Sequence, residues 1–519
     1  MKPTRPGLIG SIGTLLLLII GLLLFYPHAP SSDTRSTERN PTIAIGIVSV
    51  LMGRETCETN ECNIQGPREL PDKNGNKFIP SCVSFTKDGF LIGDAARVWG
   101  IANPEATICN PKALLGKSWS DPDVQTLIKD LPYEVLSGHQ DKPIIKVNVG
   151  GKGKSYTPEE VTSLIIGELK RMAEVTMGNN KTVTAAVMTV PMYYNDQQRQ
   201  AIRDAARLAG LDVLRTQNES IAISVAYDME LGDDERNFIV VDIGDTLDVS
   251  VLNVDVGVLE VLATSHHDVG GNLFNRQIVN HLIETWKEKT GIDLAANPSS
   301  IRKLNLEVEK AKIARSSNET AIVDLRSIES TFVETLPNSE FEDVAEYLSM
   351  ATMGAIRRNL QEAKLKFAEI DDIIITGGSG NIPKIHETVS RVFPHKTLYH
   401  GLGGDAVVIG AARTAALLSQ PEDNHCGLRF TDSTPFDLGI ETVDGFMATV
   451  VPRTFIPHRK SQNFTTAIDG QSTMLIRVLQ GQRVLAADNL VIGEFELPLT
   501  PGPAGTPRVE VTFTVGLIH

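Results

Sequence analysis

Between residues 41 and 419 short apolar runs alternate with long amphipathic stretches, and this alternation restricts the fold more than any other feature of the chain. Thr42–Leu51, Phe238–Asp242 and Asp372–Thr376 are almost continuously apolar and are bounded by glycine or charge, as strands buried on both faces are. Between them the period lengthens to that of a helix. Asn195 can cap a helix that carries Ile202, Ala205, Ala206 and Ala209 on one stripe and stops at Gly210. A second helix, starting after Ser299 or Ser300, aligns Ile301, Leu304, Val308 and Ala311. Strands alternating with helices predict an α/β domain of about 380 residues over 41–419. A polar linker, 420–433, follows. In 434–519 the pattern changes to short alternating segments, Phe446–Val451, Met474–Leu479 and Val509–Val515, separated by glycine and proline, which predicts a small, partial β-sandwich.

Composition narrows the function classes. The 519 residues are 41% hydrophobic and 22% charged, close to the globular average, which excludes a wholly disordered or polytopic chain. Acidic residues number 64 against 49 basic ones, a formal charge of −15, so the mean field repels phosphate backbones and nucleic acid is not expected as a partner. Five cysteines without paired CxxC spacing argue against both a disulfide scaffold and structural zinc.

The apolar residues are uneven, however. From Leu8 to Tyr26 nothing is charged, a membrane-spanning length, with Lys2 and Arg5 before it and Asp33 and Glu38 beyond. The expectation is a signal anchor in 1–26 with a flexible stem over 27–40 and the body in a lumen; a cleaved signal peptide is the rival reading. In that compartment Cys57 and Cys62 either close a small disulfide or remain free thiols. Asn180, Asn318 and Asn463 head glycosylation triplets, whereas Asn218, beside the expected cleft, is read as unmodified.

Three motifs then carry a likeness that spacing alone does not supply: Phe90-Leu91-Ile92-Gly93-Asp94-Ala95-Ala96, Thr189 to Gln200 with Pro191, Tyr193, Asn195 and Arg199, and Gly377-Gly378-Ser379 followed by Ile382-Pro383. With Leu438-Gly439-Ile440-Glu441-Thr442 and Arg508 to Phe513 in the tail, the chain resembles the seventy-kilodalton heat-shock (heat shock protein 70) chaperone family, its endoplasmic-reticulum branch in particular, in a divergent and truncated form. The resemblance implies an actin-like two-lobed nucleotide-binding domain followed by a partial β-sandwich substrate-binding domain, here with an N-terminal membrane-spanning helix. It implies ATP or ADP with Mg²⁺ as cofactor and unfolded or extended polypeptide as partner. A full-length lumenal chaperone is a second partner, the membrane is met through residues 8–26, and the site of action is the endoplasmic reticulum membrane with the body in the lumen.

Carried over position by position, Lys112 stands for the family's catalytic lysine and Glu219 for the carboxylate that orients metal and water. Asp242, the metal-facing residue, and Thr246 belong to the second phosphate hairpin together with Gly244. The adenosine side takes Glu309, Lys312 and Ser316 from one helix face and Gly377, Gly378 and Ser379 from the last motif. Phosphate cradling needs backbone N–H groups in glycine turns, and several such places have changed. In the first hairpin Val48 replaces an aspartate, Val50 a glycine, and Leu51 and Met52 two hydroxyls. The second hairpin is one residue short, and Asp245 replaces a glycine. A carboxylate about 4 Å from a phosphate costs on the order of 1 to 4 kcal/mol. Ile313 and Asn381 stand where arginines pack near the base. These departures predict weak or lost nucleotide binding and impaired hydrolysis, a pseudo-ATPase of chaperone or co-chaperone type. An active ATP-dependent folding chaperone is the alternative.

In the tail the resemblance places Ile440, Val443, Phe446, Phe464, Ala467, Met474 and Ile476 in a peptide groove, although a sandwich core would look the same. The family's helical lid and leucine-rich linker have no counterpart in the sequence, which predicts fast peptide exchange without nucleotide control.

Overall fold

The computed structural model describes residues 16–21, 42–46, 49–58, 61–69 and 79–515, the last less 130, 178–181, 231–233, 292, 295–297, 316–320, 327–332, 337, 419–431, 434–435, 454, 457 and 507. It divides into two compact units, Ser36–Phe430 and Thr431–Leu517 with Met1–Arg35. The division falls inside the expected linker. Most of that linker, the stem, Val48, Ser316, Asn180, Asn318 and residues 8–15 and 22–26 lie outside the described residues.

The larger unit is built on two five-stranded sheets of one topology. In the first, Thr42–Gly46, Ser49–Glu58 and Glu61–Glu69 form an antiparallel meander, and Ala185–Val190 then Asp212–Asn218 add in parallel on the far side of Thr42–Gly46. In the second, Arg236–Ile243, Leu247–Asp255 and Val258–His267 form the meander, and Asp372–Thr376 then Thr397–Tyr399 add in parallel. This repeated order fits the two lobes that the family resemblance implied. The middle strands are buried because helices cover both faces: Phe238, Ile239, Val240 and Val241 have no more than 1% exposure.

Local chemistry explains where the elements start and stop. Helix Asp196–Leu208 begins at a capping box in which Asn195 Oδ1 accepts from Gln198 N at 2.9 Å and Gln198 Oε1 accepts from Asn195 N at 3.1 Å. Its stripe, Ile202, Ala205 and Ala206, packs with Leu169, Ala173 and Met188. The second expected helix runs Pro298–Arg315, with proline at its start, and buries Leu304, Val308 and Ala311. As a correction, the run Thr42–Leu51 is not one strand: Thr42–Gly46 and Ser49–Glu58 pair antiparallel with Gly46 opposite Ser49, at the place where the resemblance implied a hairpin.

The smaller unit packs the four-stranded sheet of Asp437–Glu441, Met447–Val451, Thr473–Gly481 and Leu490–Pro498 with a three-stranded sheet around Leu438, Ile440, Val450, Ile476 and Phe513. Here the expected membrane-spanning helix is corrected. Leu16–Gly21 is a strand, paired in parallel with Arg508–Val515 from Leu16 opposite Val509 to Gly21 opposite Thr514. Among the described residues no helix is long and apolar enough to cross a membrane. An open edge leaves a row of N–H and C=O groups unpaired, and an apolar segment in water gains by covering it.

The position of Glu219 depends on one tight crossing. Helix Ala406–Leu418 lies against helix Glu219–Ala226 so closely that a Cβ on Gly410 would overlap the backbone carbonyl of Ala222. The contact is pinned by Gln217 Nε2, which donates to Thr414 Oγ1 at 2.9 Å. Gly410→Ala is expected to lower unfolding stability in denaturant titrations by about 1–3 kcal/mol, the usual cost of overpacking. Gly354→Ala, in helix Asn338–Ala363 where a Cβ meets nothing within 4 Å, should be neutral or stabilising. Equal effects of the two substitutions would contradict this packing.

Candidate functional site

Both sheets end their central strands at the cleft, and three of the four predicted catalytic residues meet there. Glu219 opens its helix directly after Asn218, which is fully buried and accepts from Arg199 Nη2 at 2.6 Å. That burial agrees with Asn218 being unmodified. Asp242 is near the end of strand Arg236–Ile243, and Lys112 lies in the single turn Pro111–Ala113, which follows Asn110 in the left-handed region at φ 53°. Glu219, Asp242, Lys112 and Asp248 are close enough to shift one another's titration.

Desolvation dominates the electrostatics of this cluster. It pushes Glu219 up to about 7, opposed by Lys112 and His266 and reinforced by Asp248. It pushes Asp242 up to about 8, reinforced by Glu219 and Asp248 and opposed by Lys112. Thr246, the fourth predicted catalytic residue, is turned to its own strand and donates from Oγ1 to Asp248 Oδ2 at 3.2 Å. Among the described residues no three His, Cys, Asp or Glu side chains are arranged to hold a metal ion. An Mg²⁺ held at Asp242 would therefore complete its coordination with water or phosphate oxygens.

The residues that the resemblance gives to the nucleoside also come together. Gly271 lies so near Ser379 Oγ, Lys312 Nζ and Gly244 O that a Cβ there would stand 3.0, 3.1 and 3.2 Å from them. Four positions from separate stretches of chain converge on that point, with Gly244, Lys312 and Ser379 among the predicted binding residues. Lys312 pairs with Glu309 at 2.7 Å, and Glu309 also accepts from Asn275 Nδ2 at 2.5 Å. Gly377 has φ 85°, and a Cβ would run into the backbone of Ile243 and the carboxylate of Asp242, so only glycine fits. Gly378 follows in the right-handed helical region.

In the second hairpin the backbone amides are paired within the protein. Gly244 N donates to Thr246 O at 3.0 Å within the turn, while the first amides of helix Gly271–Thr290 donate to the same turn, Gly271 N to Gly244 O at 2.9 Å and Asn272 N to Asp245 O at 3.3 Å. Three N–H groups that face the cleft end of a hairpin and a helix N-terminus are therefore spent on the protein's own carbonyls. A helix N-terminus attracts anions only through amides that remain available.

In the smaller unit the predicted peptide residues separate into two groups. Ile440 and Ile476 are in the sandwich core, with Phe464 and Met474 packed at its margin. Val443 and Phe446 are exposed, at 82% and 46%, in the loop before Met447, beside Val484 and Leu485. Ala467 is exposed in the loop after His458–Thr465. Asn463 is also exposed, on that strand.

Sequence reasoning missed several residues of the site. Tyr193 and His266 stack across the cleft with ring centroids 3.9 Å apart, and His266 Nδ1 lies 2.9 Å from Asp248 Oδ1. Buried Arg199 donates from Nε to Tyr194 O at 2.9 Å and ties that loop to Asn218. Tyr193 and Arg199 stood inside a quoted motif but without a role, and His266 had no motif at all. The described residues also hold a disulfide between Cys82 and Cys109, opposite one another on neighbouring strands. Cys57 and Cys62 likewise stand opposite in register.

Two sheets of one topology in the larger unit, with Lys112, Glu219 and Asp242 brought together, and a separate sandwich unit define a two-domain α/β protein. Over residues 47–517 the chain matches the Hsp70 protein family, and it belongs to that family. The family is one of chaperones that bind ATP or ADP with Mg²⁺ and unfolded polypeptide.

Glu219 and Asp242 bind protons more tightly folded than unfolded, so their contribution to stability is full below about pH 4 and is lost as pH rises through about 7 and about 8. Melting temperature should accordingly fall between pH 5 and pH 8, and Asp242→Asn should flatten the fall. An unchanged slope in the variant would show that Asp242 is ionised throughout.

Proposed function

We propose that this chain is a lumenal Hsp70-family protein of the secretory pathway that binds extended polypeptide, or a chaperone partner, with weak nucleotide affinity and little or no ATP hydrolysis. The observation that carries the reading is the second hairpin, where the amides of Gly244, Gly271 and Asn272 are already paired with backbone carbonyls. Catalysis of phosphoryl transfer is almost entirely positioning and electrostatic stabilisation, so amides aimed elsewhere remove its main source. Asp245 adds a carboxylate to the same turn, and Val48, Val50, Leu51 and Met52 supply neither carboxylate nor hydroxyl to the other.

What remains suits binding. Gly244, Lys312 and Ser379, positions that the family resemblance gives to the nucleotide, come together around Gly271 in the fold, and Lys112 lies close to the Asp242 carboxylate, which would face Mg²⁺. Of a nucleotide bound with its metal, only the metal ion would offset the desolvated carboxylates. In the sandwich unit Val443 and Phe446 present apolar surface beside strand edges, the combination by which an extended peptide is held through its backbone and selected through its side chains.

The Cys82–Cys109 disulfide supports the compartment, since such bonds persist in oxidising surroundings. On microsomes the chain should resist added protease until detergent is present, with Cys82 and Cys109 closed to alkylation until reduced. A protease-accessible chain with reactive thiols would contradict it.

The enzymatic side of the reading is tested by steady-state turnover of Mg·ATP. Turnover is expected at the level of Lys112→Ala, while Asp245→Gly should leave it equally low because the turn is still one residue short. Clear hydrolysis that Lys112→Ala abolishes would establish the active chaperone instead.

A further inference from the structure

One strand of the sandwich unit comes from the far end of the chain. In the three-stranded sheet Arg508–Val515 lies in the middle: His458–Thr465 runs antiparallel on one side, from His458 opposite Val515 to Thr465 opposite Arg508, and Leu16–Gly21 runs parallel on the other. The middle strand belongs to the core. Val509, Val511 and Phe513 have no more than 2% exposure and pack with Leu438, Val450 and Ile476, while the hydroxyls of Ser461 and Thr512 share a hydrogen bond of 2.7 Å across to His458–Thr465. Among the described residues only Leu16–Gly21 covers the opposite side of this strand. With that segment lifted away, a core strand would end the sheet as half of a two-stranded ribbon, its outer N–H and C=O groups unpaired.

The character of the occupant shows what this edge accepts. Leu-Leu-Leu-Ile-Ile-Gly carries no charge and no side chain able to hydrogen-bond, so the pairing uses its backbone and its apolar composition alone. Leu16, Leu18 and Ile20 stand opposite Val509, Val511 and Phe513, the three core positions of the middle strand. Extended apolar segments of this kind are what incompletely folded chains expose to water. Leu16–Gly21 is also the more readily displaced neighbour. It pairs over six residues against the eight of His458–Thr465, and parallel pairing is slightly less stable per residue than antiparallel.

We propose, resting on the reading that this chain binds extended polypeptide, that the Arg508–Val515 edge is a strand-addition site for an apolar polypeptide segment and that Leu16–Gly21 occupies it as a competitor within the same chain. The edge is separate from the exposed Val443 and Phe446, which lie in the hairpin between Asp437–Glu441 and Met447–Val451 of the other sheet. Main-chain groups of the middle strand supply the affinity, and the apolar positions beside them select leucine- and isoleucine-rich segments. A competitor in the same chain acts at high effective concentration, so a free polypeptide binds only the fraction of molecules from which the segment has left.

Fluorescence anisotropy of the full chain with a labelled peptide, Leu-Leu-Leu-Ile-Ile-Gly between paired lysines, tests this. Successive amides of a strand point to opposite sides, so Leu17→Pro combined with Leu18→Pro removes one donor that faces the edge, and this variant should bind the peptide about tenfold more tightly than the unaltered protein. Gly21→Cys combined with Thr514→Cys joins two register partners, and its disulfide should hold the segment in place and weaken peptide binding about tenfold until reductant is added, with the unaltered protein in the same reductant as control. Equal affinity in all three proteins overturns the inference, and peptide binding itself then stands at another place. A dimer of the unaltered chain in light scattering that the prolines dissociate assigns the strand to a second copy, which also overturns it. Absence of peptide binding by all three overturns the polypeptide reading and the inference with it.

Discussion

The arrangement of the cleft depends on one buried cation. Arg199 projects from helix Asp196–Leu208 with 7% of its surface exposed and donates to Met192 O, Tyr194 O and Asn218 Oδ1. A charge taken out of water is tolerated only where its hydrogen bonds are made, and here they are made to three points that would otherwise be independent. The loop carrying Tyr193 and the start of the helix carrying Glu219 thereby become one piece. Removing the guanidinium would release both, along with the cross-cleft stack that Tyr193 makes.

On the opposite lobe the same result is reached by backbone packing. Gly377 approaches Ile243 and Asp242 more closely than any side chain allows, and the Gly244–Thr246 turn is tied to the first amides of helix Gly271–Thr290. The two arrangements differ in consequence. Arg199 organises side chains that face the cleft, whereas the shortened hairpin turns amides away from it. In the proposed reading the family's scaffold persists while these amides are engaged within the protein, and the desolvated pair Glu219 and Asp242 shares Lys112.

Much of this was legible in the sequence where the signal was local. The capping box at Asn195, the helix stripe from Leu304 to Ala311 and the strand Asp372–Thr376 are set by neighbouring residues and are found where periodicity put them. Lys112, Glu219 and Asp242 were named from motif position, and the fold brings them together. What escaped was made by partners far apart in the chain. Cys82 and Cys109 are 27 residues apart with no spacing signal, and they meet only because their strands pair. His266 gains its meaning from Tyr193 on another lobe. The Thr42–Glu58 hairpin leaves no mark on the periodicity, because the apolar run continues through it and only the resemblance pointed to it, and Leu16–Gly21, whose composition suits a membrane span, is also suited to covering a sheet edge. Ile440 and Ile476 could not be told from core residues by their chemistry, and they are core residues.

The central claim is that the cleft no longer drives the sandwich through a nucleotide cycle. The most direct measurement is the dissociation rate of a fluorescent extended apolar peptide from the full chain, with and without saturating Mg·ATP. The account predicts fast release at the same rate in both conditions, since the amides that would sense a third phosphate are bound to Gly244 O, Asp245 O and Thr246 O. Release that ATP accelerates and that Lys112→Ala makes insensitive to ATP would contradict it.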